Sequence, residues 1–263
     1  MRQKFAKSNN MAKKNTSSSN EKEKQEEKVF SEEALASHSE KVGKLFFQAL
    51  TKFFCGLAIV MALVFVPAGT FAYWQAWLFI GVLFVPMFAM GILLMFRNPD
   101  LLRRRLDAKE KEREQKSVVA LSGLMFLAMF VTAGLNHRFH WWTVPDWLVI
   151  GATVLFLLSY VMYAEVMREN IWLSRTIKVQ EHQQVVDSGL YGVVRHPMYT
   201  ATLILFLMIP LILASFWSFF IMLVYIPILV KRIRNEETVL EQELDGYKAY
   251  KQRVRYRLIP YLW

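Results

Sequence analysis

The sequence predicts an all-α integral membrane protein with about six transmembrane helices. Of its 263 residues, 54% are hydrophobic and 14% are aromatic, which is more apolar than a soluble domain of this size usually is. Three stretches, residues 61–96, 118–135 and 198–230, contain no Lys, Arg, Asp or Glu. Because about 20 apolar residues in a helix cross the hydrocarbon core of a bilayer, these stretches indicate membrane spans.

Six apolar segments, taken in order along the chain, are the predicted spans. They cover residues 45–66, 74–96, 118–135, 147–167, 198–214 and 216–230. The first four are long enough to cross a hydrocarbon core as helices, whereas the last two are short. We therefore expect the last two segments to form spans that are tilted or that cover less than the full thickness of the membrane.

The last two segments predict a tight helical hairpin. Only the region around Ser215 and Phe216 separates them, and Pro210 and Pro227 are expected kinks. The two ends of such a hairpin meet on the same face of the membrane. The motif "RHPMY" is therefore predicted to lie beside "KRIRNEE", although more than thirty residues separate the two motifs in the chain.

Charge and aromatic patterns orient the predicted spans. Permanent cations crowd the second connection at Arg97, Arg103, Arg104, Arg105, Lys109, Lys111, Arg113 and Lys116, and the fourth at Arg168, Arg175, Lys178 and Arg195. The third connection has only Arg138, and an aromatic belt is predicted on its side at Tyr73, Trp74, Trp77, Trp141, Trp142, Trp147 and Trp217. Since basic loops stay in the cytoplasm, both termini of this multi-pass protein are predicted to be cytoplasmic.

Composition divides the chain into three regions. Residues 1–43 are rich in Lys, Glu, Ser and Asn and predict a disordered charged tail, within which Met11 is an alternative start. Residues 44–168 hold the first four spans and a basic cytoplasmic loop at residues 97–117. Residues 169–263 hold the polar motifs, the hairpin and C-terminal amphipathic helices, whose ending "YKAYKQRVRYRLIPYLW" is typical of a segment that lies against lipid headgroups.

Several functional classes find no support in the sequence. A net charge of +10 would suit nucleic acid, but the basic residues flank apolar spans, so the lipid bilayer is the predicted partner and nucleic acid is not. Cys55 is the single cysteine, which excludes an intrachain disulfide and paired-cysteine metal sites, and no metal is predicted. The chain also lacks GxGxxG, P-loop, HExxH and GxSxG motifs. The sequence leaves the oligomeric state open.

Two constellations of polar residues remain as candidates for a functional site. The first is the loop "VQEHQQVVDSGLYGVVRHPMYTATL", which leads into the fifth apolar segment. The second is Arg232 with Glu236 and Glu237, in which Arg232 and Glu236 share one helix face at the i,i+4 spacing. Each has a purely structural alternative. Arg195 and His196 would be interfacial anchors, and the Arg232–Glu236 pair would be a solvated ion pair worth a few tenths of a kcal/mol.

These stretches resemble a known family. The first loop, followed a hairpin later by "RIRNEETVLEQELDGYKAYKQRVRYRLIPYLW", is similar to the isoprenylcysteine carboxyl methyltransferase family and its relatives among the phospholipid methyltransferases. The resemblance covers residues 170–263 through combined RHPxY, EExxL and YxxYxxxVxRxxP elements. It implies an integral membrane enzyme with its active site at the cytoplasmic face. Such an enzyme transfers a methyl group from S-adenosylmethionine to a lipidic or isoprenoid-bearing acceptor, with carboxylate O-methylation as the leading reaction.

The resemblance also implies which residues bind the cofactor. The matching positions are Gln180, Gln183, Gln184, Val185, Val186, Tyr191, His196, Pro197, Met198, Tyr199 and Glu236. At residues 183–186 the chain departs from the His-Thr-Leu-Val-like stretch of the eukaryotic members. Arg232 matches the acceptor-side arginine, one helical turn before Glu236. The cofactor has a carboxylate for Arg195 or His196, and its ammonium and ribose suit Glu236.

The acceptor decides whether a base is needed. A carboxylate is ionised at pH 7 and needs none, whereas an amine must first lose a proton. The predicted catalytic residues are therefore Arg232, Glu236, Glu237 and His196.

Three alternatives stand beside carboxylate methylation. The first is a phospholipid N-methyltransferase. The second is an NADPH-dependent enzyme like the sterol reductases, since related sterol reductases share the Arg-His-Pro region, although the EExxL element favours methyl transfer. The third is a non-catalytic membrane protein that binds lipid. The expected partner of the enzyme is a membrane lipid or a prenylated acceptor.

Overall fold

The computed structural model of the protein describes residues 43–106, 113–173 and 179–263. The described residues from 51 to 263 belong to one compact unit, which holds the pocket considered below. Outside the described residues lie the predicted disordered tail up to residue 42, residues 107–112 of the predicted basic loop, and the predicted loop cations Arg175 and Lys178. The three regions predicted from composition therefore stay predictions.

Among the described residues, five α-helices precede the predicted hairpin. They are α1 (Gly43–Ala68), α2 (Trp74–Arg97), α3 (Pro99–Leu106), α4 (Arg113–Phe139) and α5 (Asp146–Glu169). Of these, α1, α2, α4 over Val119–Phe139, and α5 are long and apolar enough to cross a membrane, and so is the later helical stretch Phe216–Glu243. The described residues thus confirm an all-helical protein with five candidate spans, where about six were predicted.

The candidate spans are apolar on both their inner and outer faces. Inside, Phe79, Met129 and Phe156 of three different helices are fully buried in one core. Outside, large apolar side chains stay uncovered, among them Phe96 at 84% and Trp147 at 73% exposure. Helices that are hydrophobic all round are typical of membrane spans, because lipid covers the outer face.

The predicted hairpin is present, with an unequal pair of arms. Helix α6 (Pro197–Ile212) is the shorter apolar arm, and its crossing of the membrane stays a prediction. The second arm consists of α7 (Phe216–Leu223) and α8 (Tyr225–Glu243), with only Val224 between them. Ser215 begins this arm, since its Oγ accepts a hydrogen bond from the Ser218 N–H at 3.3 Å. Because α8 runs on past residue 230, it carries the predicted second constellation out of the apolar region on a rigid helix.

The turn of the hairpin is anchored to the loops at the same end of the molecule. Tyr73 donates its hydroxyl hydrogen to the Leu213 carbonyl, and its ring stacks on His137 at 3.9 Å between centroids. Asn136 donates to the Ala214 carbonyl at 3.4 Å and accepts from the Trp142 N–H at 3.1 Å. Tyr73 is only 1% exposed, so it faces the protein and not the lipid, and its place at the depth of an aromatic belt stays a prediction. A buried phenol needs a hydrogen-bond partner, and the hairpin turn provides one.

The opposite end of the hairpin, which we call the polar end, consists of residues 170–197 and 231–263, apart from residues 174–178. Gly246 has a φ of +82°, a left-handed conformation that glycine adopts at little cost, and it turns the chain from α8 into the short helix α9 (Tyr247–Arg253). The C-terminal segment then returns to the start of α6, where the Arg195 and His196 N–H groups each donate to its carbonyls at 2.9 Å. The polar end is thereby closed around residues 195–197.

Candidate active site

A pocket of about 820 Å³, counting the part open to solvent, lies at the polar end. The predicted site residues that line it are Gln183, Gln184, Val185, Val186, Tyr191, Arg195, His196, Met198, Tyr199, Arg232 and Glu236. The structure thus brings most of both predicted constellations to one cavity. Three predicted residues, Gln180, Pro197 and Glu237, stand outside its lining.

Tyr199 joins the two arms of the hairpin at the pocket wall. Its hydroxyl donates to Glu236 Oε2 at 2.5 Å and accepts from Arg232 Nε at 2.9 Å. Arg232 and Glu236 are one turn apart on α8, while Tyr199 is in the first turn of α6. The predicted proximity of the two motifs is therefore confirmed. The tyrosine holds a cation and a carboxylate side by side on the pocket wall.

Glu237 lies at the centre of a buried ion cluster behind this wall. The carboxylate is 3% exposed, and it accepts hydrogen bonds from Arg195 Nε at 2.8 Å and from Arg257 Nε at 2.9 Å. His196 Nε2 is 3.3 Å from the same carboxylate. Charges that are buried this deeply are stable only when they are paired and hydrogen-bonded. The cluster therefore fixes the backbone where α6 begins.

Arg195 also donates to the backbone of the C-terminal segment. Its Nη1 donates to the carbonyls of Val254 at 2.7 Å and Arg255 at 2.8 Å. The guanidinium thus connects the start of α6 to the C-terminal segment while one edge lines the pocket. This geometry gives Arg195 a structural task, and its predicted contact with a ligand carboxylate stays a prediction.

The loop that follows α5 forms the opposite wall of the pocket. Asn170 Nδ2 donates to the Tyr191 hydroxyl at 3.0 Å, and Asn170 Oδ1 accepts from the Trp172 N–H at 2.9 Å. Gln180 donates to the Trp172 carbonyl at 2.5 Å, and its own N–H donates to Gln183 Oε1 at 2.9 Å. Gln180 therefore braces the loop that carries the lining residues.

Helix α9 covers the pocket with two tyrosines. Tyr247 and Tyr250 are 4% and 2% exposed, and both line the cavity. Burial raises the pKa of both phenols, so the two hydroxyls are neutral at physiological pH. Tyr250 donates to the Tyr191 carbonyl at 2.7 Å. Outside the pocket, Arg253 pairs with Asp187 at 2.7 Å and ties α9 to the loop before the Gly189–Gly192 turn.

Sequence reasoning missed several lining residues. They are Asn170, Trp172, Leu173, Leu240, Leu244, Tyr247 and Tyr250. The signal for two of them was present, because the spacing of Tyr247 and Tyr250 places both on one face of a helix. The sequence pattern instead predicts the lipid interface for these tyrosines, since basic and aromatic residues alternate around them.

The fold and the pocket define a class of protein, a multi-pass helical membrane protein with a polar cavity at one end of its helices. More particularly, the model of the phospholipid methyltransferase family matches residues 147–245, a range that runs from α5 to the end of α8. This similarity indicates a membrane methyltransferase. The narrower likeness to isoprenylcysteine carboxyl methyltransferases stays a prediction.

A second similarity points to a different chemistry. The Delta(14)-sterol reductase TM7SF2 of Mus musculus is 35% identical to this chain over 91 residues, which are 34% of this chain. The chain spans only 22% of the length of that reductase. The similarity therefore covers only one segment of the reductase, and the reductase activity is a property of that protein alone.

Proposed function

We propose that this protein is an S-adenosylmethionine-dependent membrane methyltransferase that acts on a lipidic or isoprenoid-bearing acceptor, with carboxylate O-methylation as the leading reaction. The observation that carries the proposal is the hydrogen-bonded set of Arg232, Tyr199 and Glu236 on the wall of a pocket at the end of the membrane-spanning helices. The match to the phospholipid methyltransferase family supports it.

The donor set of the pocket suits the parts of S-adenosylmethionine. The Glu236 carboxylate suits the ammonium group or the sulfonium cation, and Trp172 and Tyr191 offer aromatic surface to the adenine ring. The amide groups of Gln183 and Gln184 suit the ribose hydroxyls. We therefore assign these residues to the cofactor. When bound, the cofactor supplies an electrophilic methyl group.

The remaining work of the protein is alignment and exclusion of water. Arg232 is placed to bind an acceptor carboxylate, because a guanidinium matches the two oxygens of that group. Tyr199 fixes the distance between Arg232 and Glu236 and so sets the acceptor beside the cofactor pocket. Alignment of this kind can supply several kcal/mol of a displacement barrier. Helix α9 adds Tyr247 and Tyr250 to the pocket lining and so reduces the access of water to the bound molecules.

An amine acceptor would demand a base. Glu236 and His196 both line the pocket and are the candidates for that role. Glu237 already accepts hydrogen bonds from two arginines, so we assign it to positioning. The phospholipid N-methyltransferase alternative therefore requires Glu236 or His196 to accept a proton.

We place the polar end in the cytoplasm. The side chains of Arg103 and Arg168, both in the connections at this end, support the assignment, as do the exposed Trp141 and Trp147 at the other end. The cofactor then arrives from the cytosol and the acceptor from the bilayer.

Cysteine labelling tests this orientation. In a Cys55→Ser background, Lys248→Cys should react with a membrane-impermeant maleimide only after cells are permeabilised, because Lys248 is exposed on α9. Trp141→Cys, at a position 53% exposed at the other end, should react in intact cells and serves as the matched control. Labelling of Lys248→Cys in intact cells would reverse the assigned orientation.

Ligand-dependent stability tests the reaction class. S-adenosylhomocysteine, the demethylated product, should raise the melting temperature of the detergent-solubilised protein, since a ligand at a hundredfold excess over its Kd stabilises the folded state by about 2.7 kcal/mol. NADPH should have no effect. Incubation with methyl-labelled S-adenosylmethionine and a lipid extract should then yield a labelled lipid, whose identity decides between carboxylate and amine acceptors.

The similarity to the sterol reductase makes a reductase the second candidate function. It makes the opposite prediction in the same measurement. Stabilisation by NADPH and none by S-adenosylhomocysteine would replace the methyltransferase proposal with the reductase. A protein that responds to neither ligand and labels no lipid would favour the non-catalytic alternative.

A further inference from the structure

Tyr247 is a buried tyrosine whose hydroxyl has no hydrogen-bond partner among the described residues. The residue is the first of α9 and follows the left-handed Gly246. Its side chain is 4% exposed, and it lines the pocket together with Glu236 and Leu244. The residue that carries the unpartnered hydroxyl is thus part of the cavity lining, and the hydroxyl oxygen itself is buried.

Such a hydroxyl is costly unless something binds it. A buried polar group without a partner destabilises the folded state, and most buried polar side-chain atoms are hydrogen-bonded. Tyr250 shows the usual solution one helical turn later, because its hydroxyl donates to the Tyr191 carbonyl at 2.7 Å. Two tyrosines on one face of α9 therefore differ in one respect: the hydroxyl of Tyr250 is bonded within the protein, and that of Tyr247 has no partner among the described residues.

The surroundings of Tyr247 define the kind of bond that it can form. Its phenol is neutral, because burial and then the charges of Glu237 and Glu236 raise its pKa. A neutral phenol has one hydrogen to donate and lone pairs to accept. It can therefore pair with either a donor or an acceptor of a bound molecule. The acceptor-side cation Arg232 is already joined to Tyr199 on the hairpin, whereas Tyr247 is on the separate helix that covers the pocket.

We propose that Tyr247 is a cofactor-binding residue, whose hydroxyl forms a hydrogen bond with a polar atom of S-adenosylmethionine or S-adenosylhomocysteine. The assignment rests on the proposed methyltransferase function. It means that the cofactor site is completed by α9, which lies beyond the matched residues 147–245. Cofactor binding then also satisfies the buried hydroxyl and holds α9 over the pocket.

Tyr247→Phe tests the proposal with two measurements on the purified full-length protein. Titration calorimetry with S-adenosylhomocysteine, in the absence of any acceptor, should show a Kd raised about 3- to 10-fold, as expected for the loss of one hydrogen bond. The melting temperature without ligand should be unchanged or higher, because the substitution removes an unpaired buried hydroxyl. A merely structural tyrosine would give the opposite thermal result.

Tyr250→Phe is the matched control, since it makes the same chemical change on the same helix. It should lower the melting temperature without ligand, because the Tyr191 carbonyl loses its donor. An unchanged Kd for Tyr247→Phe would overturn the assignment, and so would a loss of ligand-free stability equal to that of Tyr250→Phe. A wild-type protein that does not bind S-adenosylhomocysteine overturns the proposed function itself, whereas wild-type binding with an unaffected variant overturns only the role of Tyr247.

Discussion

Glu237→Ala is expected to lower the free energy of unfolding by about 3–5 kcal/mol, which is the usual cost of removing one partner from a buried ion cluster. The carboxylate accepts hydrogen bonds from Arg195 and Arg257, and its removal leaves the buried Arg195 guanidinium without its anion. The start of α6 and the C-terminal segment are joined through that guanidinium. Denaturant titration of the ligand-free protein in detergent measures the loss.

Two further variants identify the cause. Glu237→Gln keeps the shape of the side chain and should recover part of the stability, since the amide oxygen can still accept one hydrogen bond. Glu241→Ala removes a carboxylate from the same helix, where it pairs with Lys251 and is about one-third exposed. Pairs this exposed contribute about 0–1 kcal/mol. Equal losses for Glu237→Ala and Glu241→Ala would mean that the buried cluster does not stabilise the polar end.

The hairpin and the meeting of its ends could be predicted from the sequence alone. Residues 198–230 contain no charged side chain, and proline and serine interrupt the run near its middle. A chain that enters and leaves an apolar layer through one short turn brings its flanking residues together whatever the packing in detail. The contact between Tyr199 and Glu236 follows from that constraint.

Which of two adjacent glutamates faces the pocket could not be predicted. Neighbouring residues on a helix differ in direction by about 100°, so Glu236 and Glu237 point to different sides of α8. The rotation of α8 about its axis depends on its packing in the hydrophobic core, where Ile233 is fully buried. Local sequence carries no information on that rotation. The prediction that both glutamates are catalytic therefore combined two different positions. Glu236 lines the pocket, whereas Glu237 lies in the buried ion cluster.

The tyrosines of α9 were missed for a related reason. Alternating basic and aromatic residues are typical of lipid interfaces, and the same pattern arises when one face of a short helix closes a pocket. Only the path of the chain after Gly246 distinguishes the two, because it turns Tyr247 and Tyr250 inward and leaves Lys248 outside. Similarly, Tyr73 matched an aromatic belt in sequence but packs under the hairpin turn.

Arg232→Lys and Glu236→Gln are expected to separate acceptor binding from cofactor binding. Glu236→Gln should weaken S-adenosylhomocysteine binding by roughly 1.5–3 kcal/mol, the usual cost of a lost charge-assisted hydrogen bond. Arg232→Lys should leave that affinity nearly unchanged and reduce turnover of a carboxylate acceptor by about 100-fold, a loss like that of one transition-state hydrogen-bond donor. Lysine keeps the charge but loses the planar fork that matches a carboxylate.

The kinetic test uses two acceptors, N-acetyl-S-farnesylcysteine as the carboxylate and phosphatidylethanolamine as the amine. Rates are measured at saturating cofactor, and calorimetry gives the affinity of each variant for S-adenosylhomocysteine. If the amine is the substrate, Arg232→Lys should retain most of its activity, because no carboxylate has to be held.

Tyr199→Phe completes this comparison, since the hydroxyl is bonded to both residues. Its loss frees Arg232 and Glu236 from each other, so both turnover and cofactor affinity should fall, each by less than in the corresponding single variant. Loss of cofactor affinity in Arg232→Lys as large as that in Glu236→Gln would mean that the two residues act as one unit on the cofactor. Full activity in both Arg232→Lys and Glu236→Gln would mean that the two residues form only a surface ion pair, because an ion pair that binds no ligand does not affect turnover.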